Sequence, residues 1–253
     1  MAAISLEKLV RHCDAQLETA EIEDWAGAVN GLQVQNDGTV SHIAAAVDAS
    51  LATVNMAVDA GADLLIVHHG LFWSKTTPWT GKRYELLRLL LDNNLSLYSS
   101  HLPLDCHPRL GNNAQLAKAL GLKKAVPFFH EKGRDIGLSF TASLRRDDLQ
   151  QRLEHAVGGR VTSLPGGGKT CSRIGIVTGG AGAEIAKVAA AGVDTFITGE
   201  GPHWTFALAE DLGINVFYAG HYATETFGVK ALSAHLSKKF GVPWGFLDHP
   251  TGL

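Results

Sequence analysis

The stretch Ala60-Gly61-Ala62-Asp63-Leu64-Leu65-Ile66-Val67-His68-His69-Gly70-Leu71-Phe72-Trp73 decides how the rest of the chain is read. Its apolar run predicts a buried strand. The run stops at two adjacent imidazoles and a glycine that lets backbone come close, an ending that suits a site better than a core.

Upstream of it, Ile43 to Val47 predicts a second strand, and Leu51, Val54 and Val58 recur at helical spacing before Gly61. Strand, helix and strand in that order make a β-α-β unit, the building block of parallel sheets. Nearer the N-terminus, Leu6, Leu9, Val10, Cys13 and Leu17 trace an amphipathic helix that the acidic Glu21-Ile22-Glu23-Asp24 stretch is expected to end. Asn30-Gly31 then turns into an alternating strand, Leu32 to Gln35. Downstream, Tyr84 to Leu91 predicts a helix, Leu95 to Tyr98 a strand, and Ala114 to Leu120 a helix stopped by Gly121.

The second half resembles the first. Without a gap, His42 to Gly70 lies over Arg173 to Gly201 at a constant offset of 131, and Trp73 lies over Trp204. The densest part pairs Ala60-Gly61-Ala62-Asp63 with Ala191-Gly192-Val193-Asp194. Further on, Leu97-Tyr98-Ser99-Ser100-His101 lies over Phe217-Tyr218-Ala219-Gly220-His221, and four residues after each histidine comes a carboxylate, Asp105 or Glu225. A duplication follows: an α/β chain of two similar repeats, about 1–125 and 126–253, with mostly parallel mixed sheets and polar strand ends. In open parallel sheets ligands bind at those carboxyl ends, so a site is expected in the cleft between the repeats.

Composition bounds the function classes. The 253 residues are 45% hydrophobic, enough for a substantial core, and the net charge of −3 comes with no block of like charge, which disfavours a nucleic-acid or anionic-membrane partner. The charged opening segment Met1 to Leu9 lacks the apolar core of a signal peptide, and no run is long enough to span a bilayer, so a cytoplasmic protein is expected. Cys13, Cys106 and Cys171 are widely spaced and form no thiolate metal motif, leaving nitrogen and oxygen as metal donors. His68, His69, His101, Asp105, His221 and Glu225 are such donors at strand ends, and together they suit two divalent ions of intermediate hardness: manganese, iron, cobalt, nickel or zinc. His221 and Glu225 stand four apart at the start of a helix running to Lys239 and share its face, whereas Pro103 and Pro108 suggest a loop around Asp105.

The ordered set His-His-Gly-Leu-Phe-Trp, Tyr-Ser-Ser-His-Leu-Pro-Leu-Asp, Thr-Gly-Glu and Ala-Gly-His-Tyr-Ala-Thr-Glu, with Asn30-Gly31-Leu32-Gln33-Val34 near the start, resembles the NIF-three-like family over nearly the whole chain. Its YbgI-type members carry the name GTP cyclohydrolase I type 2 homologue. The resemblance implies a dinuclear metal site with ligands at His68, His69, Asp105, His221 and Glu225, two interleaved α/β repeats, and a toroidal homohexamer. Many members have proline after the histidine pair; Gly70 here should loosen that turn. Two ions roughly 3.5–4 Å apart can share a carboxylate, for which Glu225 is the choice, and activate water for hydrolysis. His101 is the candidate catalytic residue, as a proton shuttle or a support to the metal site, while Glu200 and His203, at the repeat positions of His69 and Phe72, are candidates for contacting substrate.

The functional expectation is therefore a dinuclear-metal hydrolase acting on a nucleotide-like small molecule, with GTP ring opening to formate as the activity the family name implies. The alternative is a non-catalytic metal-binding scaffold or regulatory protein. Pro165-Gly166-Gly167-Gly168-Lys169-Thr170 ends like a phosphate-binding loop but has Ser163 where the first glycine should be and no strand before it, so a flexible loop between repeats is expected. Trp73, Trp79, Trp204 and Trp244 are expected in the core, Phe128-Phe129-His130 is a candidate for packing at a subunit interface, and His12, His42, His107, His130, His155, His235 and His249 have no spacing that pairs them.

Overall fold

The apolar run folds as a strand, Leu64–His69, buried from Leu64 through His68. In the computed structural model residues 3–73 and 77–253 are described. Met1 and Ala2 of the charged opening segment lie outside them. The chain divides into two compact units, Met1–His107 with Gly228–His249, and Pro108–Phe227 with Pro250–Leu253.

The first unit contains β1 (Ile4–Ser5), α1 (Leu6–Leu17), β2 (Gly31–Val34), β3 (Thr39–Val40), β4 (Ile43–Asp48), α2 (Leu51–Asp59), β5 (Leu64–His69), α3 (Lys82–Asp92), β6 (Ser96–Ser99) and the short α4 (Leu102–Asp105). The helix α1 starts on Ser5, whose side chain accepts from the Lys8 N–H, and stops at Leu17 because Glu18 takes a left-handed conformation at φ +52°. The acidic stretch after it is thus not the terminator, and Asp24 is left for another role. Ser50 and Thr53 form a reciprocal cap on α2.

The second unit contains α5 (Asn112–Ala119), β7 (Val126–Glu131), β8 (Arg134–Arg145), α6 (Arg146–Val157), β9 (Thr162–Pro165), β10 (Thr170–Ile176), α7 (Ile185–Ala190), β11 (Thr195–Thr198), α8 (Thr205–Leu212) and β12 (Asn215–Tyr218). The first turns of α9 (His221–Phe240) belong to it, and the rest of that helix and β13 (Trp244–Phe246) belong to the first unit. The C-terminal stretch joins the first unit because β13 pairs in parallel with β4 and so enters the first sheet.

The two larger sheets run β13-β4-β5-β6-β2 and β7-β8-β10-β11-β12-β9, and β1 pairs antiparallel with β3 in a separate two-stranded sheet. Four strands of each larger sheet share one plan: three parallel strands, with a strand from earlier in the sequence added antiparallel beyond the last, as β4-β5-β6-β2 and β10-β11-β12-β9. Register matches as well. Ile43 pairs with Leu64 and Ile174 with Thr195, which keeps the offset of 131 in both strands. The last strand departs by one residue: Ile66 pairs with Tyr98 and Ile197 with Phe217, an offset of 119 where the sequence match used 120. On the ladder, then, Gly220 and not His221 takes the place of His101. The first sheet is mostly parallel, whereas antiparallel β7 and β8 give the second sheet three antiparallel pairs against two parallel ones.

Each unit packs its own core. Ala46, Val54, Leu65, Val67, Leu90 and Leu97 are buried together in the first, and Leu116, Phe140, Leu153, Ile176, Ile197 and Phe217 in the second. Burying such side chains stabilises by about 1.5–3 kcal/mol each, which holds the strand ends in place for the polar groups they carry. No described helix is long and apolar enough to cross a membrane.

Candidate metal centre

In the first unit the parallel strands β4 and β5 end on Asp48 and on His68-His69, and β6 delivers Ser100 and His101 just past its end. One ligating nitrogen from each of His68, His69 and His101 lies within 4.8 Å of the other two. Each ring is held by its Nδ1. His68 Nδ1 donates to the Ser100 carbonyl at 2.9 Å, His69 Nδ1 to Asp48 Oδ1 at 2.8 Å, and His101 Nδ1 to Asp24 Oδ1 at 2.8 Å. An oxygen acceptor on Nδ1 fixes the tautomer and puts the lone pair of the neutral ring on Nε2. Asp105 Oδ2 stands 3.4 Å from His68 Nε2. The loop expected around Asp105 is instead the single turn α4: Pro103 sits in its first turn, where no N–H is needed, and the Asp105 N–H reaches back to the His101 carbonyl at 3.0 Å.

In the second unit, Gly179 and Glu200 lie just beyond the ends of β10 and β11, and α9 opens on His221. His221 Nδ1 donates to Glu200 Oε1 at 2.8 Å, and His221 Nε2 lies 3.2 Å from Glu225 Oε2 one turn along the helix. Glu225 is buried. Its position depends on Gly179, which has φ +74° and donates its N–H to Thr224 Oγ1 at 3.1 Å. A Cβ at Gly179 would overlap Glu225 Oε1 and come to 3.3 Å from its Cδ.

The donor set fits a divalent ion. Four imidazoles have their Nδ1 hydrogens committed to oxygen, and carboxylates stand beside the Nε2 atoms of His68 and His221. The hydrogen bond to Glu225 raises the His221 pKa, burial opposes, and the Glu225 charge with the Glu200 hydrogen bond and charge brings it to about 9. Without a metal the ring therefore carries a proton at neutral pH, between two carboxylates, where a dication would also be favoured. At Asp24 burial works against ionisation, but the hydrogen bond and charge of His101, with hydrogen bonds from Asn30 and the Trp25 N–H, hold the carboxyl at about 2. Nitrogen and carboxylate donors suit manganese through zinc. Burial pushes the Cys13 and Cys171 thiols up, which disfavours thiolate chemistry at those two positions.

Asp24, Asn30 and Asp48 are site residues that the sequence reading does not single out for a role. Asn30 Oδ1 accepts the His101 N–H at 2.7 Å, and Asn30 Nδ2 donates to Asp24 Oδ2 at 2.8 Å. A signal does exist for Asn30, which lies in the Asn-Gly-Leu-Gln-Val motif. Asp24 has none, sitting in an acidic run that reads as surface. Glu200 is half-buried against His221, and His203 is exposed. Gly70 leaves room for Gln33, which accepts the Leu71 N–H at 2.7 Å and donates to the Val29 carbonyl at 2.6 Å.

Other expectations change. Trp73 and Trp204 are 41% and 52% exposed rather than core, since each follows its strand end by several residues, and Trp79 and Trp244 are half-buried. Trp73 stands edge-on to His101 at 4.5 Å and to His69 at 5.1 Å. Phe128 and Phe129 are buried within the chain itself. The glycine run after β9 is a turn held by Asn215, which accepts the Gly167 N–H at 3.2 Å and donates to the Gly168 carbonyl at 2.9 Å. His12 and His235, distant in sequence, meet Nε2 to Nε2 at 2.9 Å between α1 and α9.

The sequence profile of the Duf34/NIF3 (NGG1p interacting factor 3) family matches residues 4–251. A Deinococcus radiodurans protein named GTP cyclohydrolase 1 type 2 homolog is 42% identical over 252 residues, covering 99% of this chain and 95% of its own. One of the same name from Pseudomonas aeruginosa is 40% identical, covering 98% of each. Among solved structures, TTHA1606 from Thermus thermophilus superposes with a TM-score of 0.91 at 40% identity, covering 99% of this chain and 100% of that one. With a profile match over nearly its whole length and relatives above 30% identity, the chain belongs to the Duf34/NIF3 family.

Proposed function

We propose that the chain is a metal-dependent hydrolase of the two-ion kind, with His68, His69, Asp105, His221 and Glu225 as donors and a nucleotide-like small molecule as substrate. One observation carries the reading: every imidazole of the donor set has its Nδ1 on an oxygen acceptor, the arrangement by which proteins orient metal-binding histidines. The name shared by the relatives supports a GTP cyclohydrolase-type reaction, in which a purine ring is opened by water and formate is released. Bound divalent ions supply Lewis acidity and bring the pKa of water toward neutrality.

The chain's own residues have the remaining roles. Asp48 and Glu200 hold His69 and His221 in one tautomer. Buried Glu225 keeps its charge out of bulk water, so its attraction for a cation is weakly screened. The exposed indole of Trp73, edge-on to two of the imidazoles, is the nearest wall for a planar substrate. Glu200 and His203 are the further groups proposed to contact substrate. Assembly as a toroidal homohexamer is part of the proposal and is tested by the mass of the particle in solution.

The test of function is a panel of nucleotides offered to metal-loaded protein, with release of formate and phosphate followed. Turnover that is lost on His68→Ala supports the hydrolase. Metal retained with no turnover on any nucleotide would favour a metal-binding scaffold instead.

A further inference from the structure

We propose that His12 and His235 form a couple that holds one proton between two imidazoles, clasps α1 to α9, and lets go in acid. The device stands apart from the metal centre and does not depend on what that centre does. Both rings belong to the first unit, since His235 lies in the part of α9 that joins it.

Geometry decides what the pair can hold. The two Nε2 atoms are 2.9 Å apart, the ring planes lie within 20° of parallel, and the ring centroids are 5.2 Å apart. That centroid separation is the nitrogen gap plus the distance from each ring's centre to its own nitrogen, so the nitrogens face each other head-on. One proton fits on such a line, with one ring presenting an N–H and the other its lone pair. A metal ion does not fit, because two Zn–N bonds of about 2.0–2.1 Å in line need a gap of about 4 Å.

The surroundings make the pair hard to charge twice. Both rings are half-buried, and Phe240 stands edge-on to His12 at 5.4 Å. Burial first, then the charges of Lys239 and His235 on α9, lower the His12 pKa from its ordinary 6.5. Lys8 on α1 and Lys238 on α9 stand one turn from the two rings and add further positive charge. Next to His12 on α1, the Cys13 thiol is buried and raised, so it supplies no anion, and Asp14 accepts the Tyr98 hydroxyl at 2.8 Å. A first proton on the pair strengthens the bond, because the donor is then charged. A second sets two N–H groups head-on and two cations 2.9 Å apart. The folded chain therefore takes up one proton where the unfolded chain takes up two, so the stability of the clasp is complete above 6.5 and falls as pH drops below it. The buried face of α1, Leu6, Leu9, Cys13 and Leu17, is untouched by this, so acid loosens the clasp before it unfolds the chain.

The experiment is a titration of the full-length protein from about pH 8 to about pH 5, the range over which imidazoles change charge. Imidazole resonances are followed by NMR, assigned with His12→Gln and His235→Gln, and amide exchange along α1 is read as protection factors, which remove the intrinsic pH dependence of exchange. In wild type, His12 should stay neutral below 6.5, and opening of α1 should rise by up to about tenfold per pH unit as the pH falls. Glutamine can hydrogen-bond the remaining imidazole without titrating, so either variant should flatten that rise, whatever it does to absolute stability. Two rings that titrate independently near 6.5 would overturn the proposal. So would protection of α1 with the same pH dependence in wild type and both variants. Should the variants not fold, the wild-type imidazole titration alone decides between one proton and two.

Discussion

Replacing Gly179 by alanine tests whether backbone at the end of β10 is shaped to hold Glu225. Gly179 has φ +74°, a conformation that costs a residue with Cβ about 1–2 kcal/mol. Gly158, at φ +69° after α6, shares that conformation, but a Cβ there meets nothing within 4 Å, so Gly158→Ala measures the backbone cost alone. At Gly179 the new methyl would overlap Glu225 Oε1 and lie 3.4 Å from His221 Nε2. Glu225 is buried and has little room to retreat, so its contact with His221 must give way. A hydrogen bond to a charged group contributes about 1.5–3 kcal/mol, so Gly179→Ala should cost about 2.5–5 kcal/mol in all. Urea denaturation at constant slope reads both variants. Zinc affinity should fall in Gly179→Ala and remain in Gly158→Ala. Equal midpoints for the two variants, with equal zinc affinity, would refute the reasoning.

Three further outcomes follow from the same geometry. The Asp24 carboxyl is depressed from 3.8 to about 2 in the folded chain, so its contribution of about 2 kcal/mol is complete above the unfolded value and is lost as pH falls from about 4 to about 2. Asp24→Asn should flatten that acid limb in pH-dependent denaturation, and an unchanged limb would remove Asp24 from the account. His221 is raised from 6.5 to about 9, so metal-free protein has the stability of that protonated ring below 6.5 and loses it as pH rises through about 9. Between those values metal binding should release a proton, with apparent affinity rising toward tenfold per pH unit; a pH-independent affinity in calorimetry would count against His221 as a ligand. A Cβ at Gly70 would come to 2.7 Å from Gln33 Cδ, so Gly70→Ala should cost about 1–2 kcal/mol and be partly relieved by Gln33→Ala, as read by a double-mutant cycle.

Much of this is legible in the sequence because it rests on short-range physics. The run Leu64–Val67 is apolar enough to demand burial on both faces, and its two histidines stand at a carboxyl edge because parallel strands with intervening helices leave their ends together. The repeat is legible to the level of register in two strands. It misleads in the third, where Tyr98 and Tyr218 look alike in sequence while the ladder equates Tyr98 with Phe217.

What escapes is long-range and polar. Asp24 reaches His101 across 77 residues, and no periodicity reports a hydrogen bond of that span. His12 and His235 are 223 residues apart, and their meeting is hidden for the same reason. Repeat positions also carry position without role: Asp48 and Gly179 differ by 131, yet one is a hydrogen-bond acceptor for His69 and the other is the gap into which Glu225 fits. Trp73 reads as core on its size alone, and only its place beyond the strand end shows why it is exposed.

The central claim is a metal centre built from histidines and carboxylates at strand ends, and metal content per chain tests it most directly. It should be measured by elemental analysis on purified wild-type protein beside His68→Ala and Glu225→Ala, each checked for folding by its denaturation midpoint. The account predicts two divalent ions per wild-type chain, falling to one or none in each variant. Wild-type protein that binds no divalent ion under any loading condition, or variants that keep both ions, would contradict it.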